Sequence, residues 1–262
     1  MRSRHVVNVL LPAGTAVLFL VIWQVGVRYL SVPSYLIPTP SSVIVTLWQS
    51  LAGGNLWGDI GATVSAIALG YVVGCALAFV CAAAVSEFPL LDRAFYPLIV
   101  AFQSVPKVAL APVIVVWFGF DLASKVVLIA LICFFPCFVN TVIGLKACPP
   151  DLIDLYRVFG ARRGQIFWSI KLPSATTSIF AGLEISVVLA LLGAVVAEFV
   201  SSRRGLGHVI QAASADFNVA LMFASIVILS VIGVASSQLI GAIRRRVAFW
   251  EAVSTNTRSV TP

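Results

Sequence analysis

Six apolar runs, each too long for the core of a small soluble domain, constrain this chain more than any other feature. Val6–Val27, Ile60–Ser86, Val126–Leu145 and Phe217–Ile243 contain no Asp, Glu, Lys or Arg, while Ala94–Phe118 and Leu172–Ala197 contain one each, Lys107 and Glu184. In lipid a spanning segment must satisfy its own backbone polar groups, which a helix of about 20 apolar residues does. The runs therefore predict an all-α polytopic membrane protein with about six transmembrane helices, in one domain covering residues 1–262. The expected spans lie near 6–27, 60–86, 94–118, 126–145, 174–198 and 218–243.

Composition agrees with the bilayer as solvent. Hydrophobic residues make up 60% of the 262 positions and charged residues 10%, too few charges to cover a water-soluble globule of this length. The net charge of +7 does not indicate nucleic acid, because the basic residues sit in short clusters between apolar runs. The first run follows Arg2 and Arg4 but is long for a secretory signal core and has no A-x-A site before Arg28, so an uncleaved first span is expected. Cys75, Cys81, Cys133, Cys137 and Cys148 fall in or beside apolar runs with no CxxC pair, and read as small packing residues.

Lys and Arg are retained on the cytoplasmic side of a membrane. With the N-terminus inside, the inner set is Arg2, Arg4, Arg93, Lys146, Arg157, Arg162, Arg163, Lys171, Arg244, Arg245, Arg246 and Arg258, twelve residues, and the outer set is Arg28, Lys125, Arg203 and Arg204. Both termini are then expected in the cytoplasm. On the outer side, Thr39-Pro40 reads as an N-cap followed by proline at the first helical position, which predicts a surface helix near 40–52. On the inner side, Lys146 to Pro173 is the longest loop. Asp151 can cap a helix whose apolar positions Leu152, Leu155, Tyr156 and Phe159 share one side, Gly160 stops it, and a second short helix carries Ile166, Phe167 and Ile170. Periodicity alone would also suit a connector resting on lipid headgroups.

Spacing favours a more definite reading. Asp154 to Pro173 resembles the EAA loop of ABC importer permeases, E-A-A-x3-G-x9-I-x-L-P, with Gly160, Ile170, Leu172 and Pro173 in register and Asp154, Leu155 and Tyr156 departing from the E-A-A triplet. Leu36-Ile37-Pro38-Thr39-Pro40, Val105 to Pro112, Trp117-Phe118-Gly119, Ala197-Glu198-Phe199 and Gly205-Leu206-Gly207 extend the resemblance along nearly the whole chain. They are similar to the binding-protein-dependent permease branch that serves nitrate, sulfonate, taurine, and pyrimidine or riboflavin-type vitamin precursors. The resemblance implies a type I ABC importer permease fold and an inner-membrane location. It also implies a second permease copy, a cytoplasmic ATPase dimer and a periplasmic or lipid-anchored solute-binding protein, with lipid around the chain. It places Asp154, Leu155, Arg157, Phe159, Gly160, Ala161, Ile166, Ile170, Leu172 and Pro173 at the ATPase. The apolar face of Leu155, Phe159, Ile166 and Ile170 is expected to be buried by that partner.

The chemistry of the remaining residues fits this division of labour. None of the four lysines is followed by Ser or Thr, as a P-loop requires, so ATP and Mg²⁺ are expected on the partner and no cofactor on this chain. Ionisable groups within a span cost about 2.5–3.5 kcal/mol on insertion scales and usually face a bundle interior or water. Lys107, one turn from Gln103, and Glu184 are thus candidates to line the solute path, or to pair with each other or with backbone carbonyls; Asn140 and Glu198 are further candidates. Pro106 and Pro112 bracket Lys107 and predict local irregularity there. Gly70-x3-Gly74 predicts a close helix contact. His5 and His208 lie on opposite faces, so no metal or catalytic pair is expected, and no nucleophile–base arrangement points to a membrane enzyme. A secondary carrier or channel is the alternative, but neither explains the loop, and no internal repeat supports a carrier.

Overall fold

A computed structural model describes residues 2–248 of the chain. Among them the regular structure is helical: α1 (Arg2–Tyr29), α2 (Pro40–Ala52), α3 (Trp57–Glu87), α4 (Pro89–Gln103), α5 (Ala111–Phe118), α6 (Leu122–Lys146), α7 (Pro150–Val158), α8 (Arg163–Ile166), α9 (Leu172–Ser201), α10 (Leu206–Ala215) and α11 (Val219–Val247). Four continuous stretches are long and apolar enough to cross a bilayer: α3, α6, residues Arg163–Val200, and α11. A fifth is the bent pair α4 and Lys107–Phe118, and in α1 the described apolar part is Gly14–Tyr29, so the expected six spans hold as an approximate number. Arg258, counted above with the inner charges, lies outside the described residues, as do the side chains of Arg2, Arg4 and His5.

The described residues form two compact units, one from 2–62 together with Arg204–Ser230, the other from Thr63–Arg203 together with 231–248. In the first, α2 begins as its sequence predicts: Thr39 caps it by accepting from Ser42 N at 3.3 Å, and Pro40 opens it. Gln24 of α1 fastens this start, accepting from Ser41 N at 3.1 Å and donating to Ser41 Oγ at 3.2 Å. At the other end of the unit, Asp59 Oδ1 accepts from Gly205 N at 2.8 Å.

The second unit is organised on α6 and α9. Their contacts run in opposite order along the chain. A Cβ on Gly144 would lie 2.7 Å from Ser178 Cβ, one on Gly182 would lie 2.9 Å from Asn140 Cβ, and one on Gly193 would lie 3.1 Å from Ile132 Cδ1. The pair is therefore antiparallel, and small residues let the backbones approach, the usual means of helix association where no hydrophobic effect separates helix from lipid. Midway, Ser186 Oγ donates to the Cys133 carbonyl at 3.0 Å, and Cys133 Sγ donates back to the Ser186 carbonyl at 3.3 Å. α3 joins the pair where Gly70 and Gly74 face α6; a Cβ at either would come within 2.5 Å of Ile129 or Ala130. The predicted glycine contact is thus a backbone-to-backbone seam. Cys75, Cys133 and Cys137 lie in the core around it as free thiols.

The third expected span, 94–118, is not one helix. α4 ends at Gln103, Lys107–Leu110 form a 3₁₀ turn, and the segment Lys107–Phe118, which includes α5, leaves at 87° to α4. Pro106 at the break has no amide hydrogen to continue the ladder, and Pro112 sits in the first turn of α5, where that lack costs nothing.

Candidate translocation cavity and docking loop

The break in the third span opens a cavity of about 410 Å³. Gln103, Lys107 and Val108 come from the break, Ile132, Phe135, Pro136, Val139 and Asn140 from α6, and Ile185, Leu189 and Leu192 from α9. Three of the sequence candidates, Gln103, Lys107 and Asn140, are thereby brought together on otherwise apolar walls. Lys107 Nζ donates to the Gln103 carbonyl at 2.8 Å and stands 4.4 Å from the centre of the Phe135 ring. The ammonium thus caps the C-terminal end of α4 and is held over an aromatic face, both favourable sites for a cation. The Asn140 amide donates to the Pro136 carbonyl at 2.8 Å.

Glu184 does not pair with Lys107. It lines an adjoining cavity of about 470 Å³ that shares Ile185 and Leu189 with the first, and its Oε1 accepts from Arg244 Nη1 at 3.4 Å. Lys107 and Glu184 each have a closer partner, which removes the need for a mutual pair. Glu198 is placed differently again. It is fully buried, accepts from Thr63 Oγ1 at 2.8 Å and forms an ion pair with Lys125 at 3.6 Å, away from both cavities. Lys125 was counted above among the outer loop charges, but it lies within α6 and is buried. Its sequence signal was Asp121, which caps α6 by accepting from Leu122 N at 2.7 Å and so puts Lys125 inside the helix.

The loop between α6 and α9 has the predicted helix, turn, helix form. Asp151 stands in the first turn of α7, but the capping position is taken by Pro149, with Pro150 at the first helical position. Gly160 has φ +78°, Gly160 N donates to the Arg157 carbonyl at 2.9 Å and Ala161 N to the Tyr156 carbonyl at 3.0 Å. Those paired bonds around a left-handed glycine are a Schellman ending, which glycine adopts without the Cβ penalty. α8 restarts beyond it, with Gln165 Oε1 accepting from Arg162 N at 2.8 Å, and runs through a π turn at Phe167–Lys171 into α9. The second loop helix thus leads into the span through the π turn, and α9 opens at Leu172 with Pro173 in its first turn, where a missing amide hydrogen costs little.

The expected apolar docking face divides in two. Ile166 and Ile170 are 5% and 7% exposed, packed by the chain's own Cys148, Ile153 and Ala161. Leu155 and Phe159 are 49% and 80% exposed, beside Leu152, Tyr156 and Val158. Burial of Ile166 and Ile170 by a partner is thus corrected: they hold the loop to its own base, and α7 carries the open apolar surface. Asp154 and Arg157 pair with each other at 2.9 Å on that exposed helix. Ion pairs flank the base as well, from Lys171 to Glu87 at 2.6 Å and from Lys146 to Asp92.

Among the described residues the chain thus combines long apolar helices, a broken span beside a cavity and an exposed helical loop. A similar fold occurs in a chain of the MetNI methionine ABC transporter in an inward-facing conformation, with TM-score 0.57, 18% identity, and coverage of 80% of this chain and 98% of that one. Residues 70–249 match the family described as the binding-protein-dependent transport system inner membrane component, and the chain belongs to that family. Two relatives are the riboflavin transport system permease protein RibX of Chloroflexus aurantiacus, 37% identical over 91% of this chain and 89% of its own length, and the formylaminopyrimidine transport permease protein ThiX of Halalkalibacterium halodurans, 34% identical over 85% and 88%. The chain is accordingly a multi-pass inner-membrane permease subunit of an ABC importer, a transport component and not an enzyme, which works with a separate ATPase and a solute-binding protein.

Proposed function

We propose that the chain carries a small heterocyclic solute of the riboflavin or aminopyrimidine-precursor class through the cavity at the break of the third span. The observation that carries this reading is the cavity's lining: apolar walls including Phe135 and Pro136, with the polar heads of Gln103, Asn140 and Lys107. Apolar walls suit a planar ring, while two amides and one ammonium can pair ring carbonyl and N–H groups. A permanent small anion such as a sulfonate is the second reading, favoured by Lys107 alone, but that ammonium already caps α4 and rests over Phe135.

The remaining arrangement follows from the loop and the charges. The loop at 146–173 faces the cytoplasm and docks on the ATPase through Leu155, Phe159 and the exposed side of α7, with Gly160 and Ala161 shaping the turn. ATP and Mg²⁺ act on that partner. Both termini are cytoplasmic; burial of Lys125 supports this by removing a cation from the outer loops. A second copy of the chain completes the pathway, and α2 lies on the outer surface.

The test is ATP-driven uptake by proteoliposomes containing the permease, its ATPase and its binding protein, using labelled riboflavin, an aminopyrimidine and taurine. Uptake of a heterocycle is expected, and uptake of taurine alone would overturn the assignment. Lys107→Ala is expected to lower uptake at least about tenfold, the equivalent of one charge-assisted hydrogen bond, with Lys107→Arg retaining part of it. Normal uptake by Lys107→Ala removes this cavity from the path. For orientation, single cysteines at Ser50 and Gln165, with the native cysteines replaced, should react with an impermeant reagent from opposite sides.

A further inference from the structure

Where the loop meets the corner between α3 and α4, the chain forms another cavity, half open and of about 430 Å³, that shares no lining residue with the two described above. Arg157, Arg163 and Lys171 face into it with one carboxylate, Glu87, and Ile153 and Ile166 supply apolar floor. Lys171 and Glu87 neutralise each other at 2.6 Å. Arg157 is paired with Asp154, and both of those side chains are two-thirds exposed, so water competes for that pair. Arg163 makes no ion pair among the described residues. The cavity therefore keeps an excess of positive charge.

Residues next to its lining in the sequence point to the membrane surface. Phe88, between Glu87 and Pro89 at the corner, is exposed, as are Leu90 and Trp168. Exposed aromatic and aliphatic side chains interleaved with Lys and Arg at the end of a span mark the headgroup level of a bilayer. Basic pockets between helices at that depth bind anionic lipid headgroups. We propose that this cavity seats the phosphate of an anionic membrane phospholipid, held by the guanidinium groups of Arg157 and Arg163, with its acyl chains against Phe88, Leu90 and Trp168. A lipid seated there bridges the α3–α4 corner and the loop, and so sets the stiffness of the element that meets the ATPase. The assignment is independent of which solute is carried.

The full chain, purified in mild detergent, is titrated with phosphatidylglycerol or phosphatidylcholine, and bound lipid is measured by native mass spectrometry. Selective retention of phosphatidylglycerol is expected. Arg157→Gln with Arg163→Gln is expected to weaken it about 30-fold, roughly fivefold for each charge removed near the headgroup region. Arg157→Lys with Arg163→Lys keeps the charge and should keep most of the binding, which guards against a folding defect in the glutamine pair. Arg203→Gln, an exposed arginine outside the cavity, should bind as the wild type does. Equal retention of both lipids, or unchanged retention in the glutamine pair, would overturn the site. Stabilisation by inorganic phosphate alone, equal to that by phosphatidylglycerol, would assign the cavity to a soluble anion and overturn the lipid.

Discussion

Gly160 is the position at which a single added carbon tests the loop most directly. Its φ is +78°, yet a Cβ built there meets nothing within 4 Å, so the cost of a side chain arises in its own backbone and not from crowding. The left-handed conformation costs an L-residue about 1–2 kcal/mol, least for asparagine and most for β-branched side chains. Gly160→Ala should thus reduce the ratio of the native turn to its alternatives by about 5–30-fold, Gly160→Asn by less and Gly160→Val by more. The groups released are the Gly160 and Ala161 amides that close α7, while Ile166 and Ile170 remain packed at the base. All three variants should therefore insert and accumulate normally. The assay is ATP hydrolysis by the reconstituted importer, with and without loaded binding protein. Stimulation should fall in the order glycine, asparagine, alanine, valine. Wild-type stimulation and uptake in Gly160→Val would reduce the loop to a connector, and failure of that variant to accumulate would show that the strain is not local.

Other substitutions separate packing from transport. Gly74→Ala places a Cβ 2.5 Å from the Ala130 carbonyl oxygen and should cost about 1–3 kcal/mol, seen as a lower Tm in detergent, whereas Gly61→Ala on the same helix meets nothing and should be neutral or slightly stabilising. Removing one partner of the buried Lys125–Glu198 pair should cost about 3–5 kcal/mol and reduce the amount of protein in the membrane, while Lys125→Met with Glu198→Leu should recover much of it; equal losses in single and double variants would refute this. Arg244→Ala breaks a partly exposed pair and should change stability by less than about 1 kcal/mol, so a large uptake defect without a Tm shift would place Glu184 on the solute path.

Features that depend on neighbours along the chain were legible before any fold was known. Run length in lipid set the spans, Thr39-Pro40 set the start of α2, and Gly160 between two short amphipathic segments set the turn that ends α7. The order of motifs from Leu36 to Gly207 indicated the family. Features that depend on residues far apart in the chain were set by packing. Thr63 and Glu198 are separated by 135 positions, and nothing in the local pattern of either α3 or α9 shows that they meet in a dry interior with Lys125. The same holds for Ile166 and Ile170, which share a helical period with an exposed face but are covered by Cys148 and Ile153. The prolines announced an irregular third span, but its 87° turn follows from how α5 packs on α6 and α9, where Ala111 and Ile114 are buried with Leu128, Ile132 and Ala197. Periodicity records which residues share a side of a helix; only packing decides which neighbour covers that side.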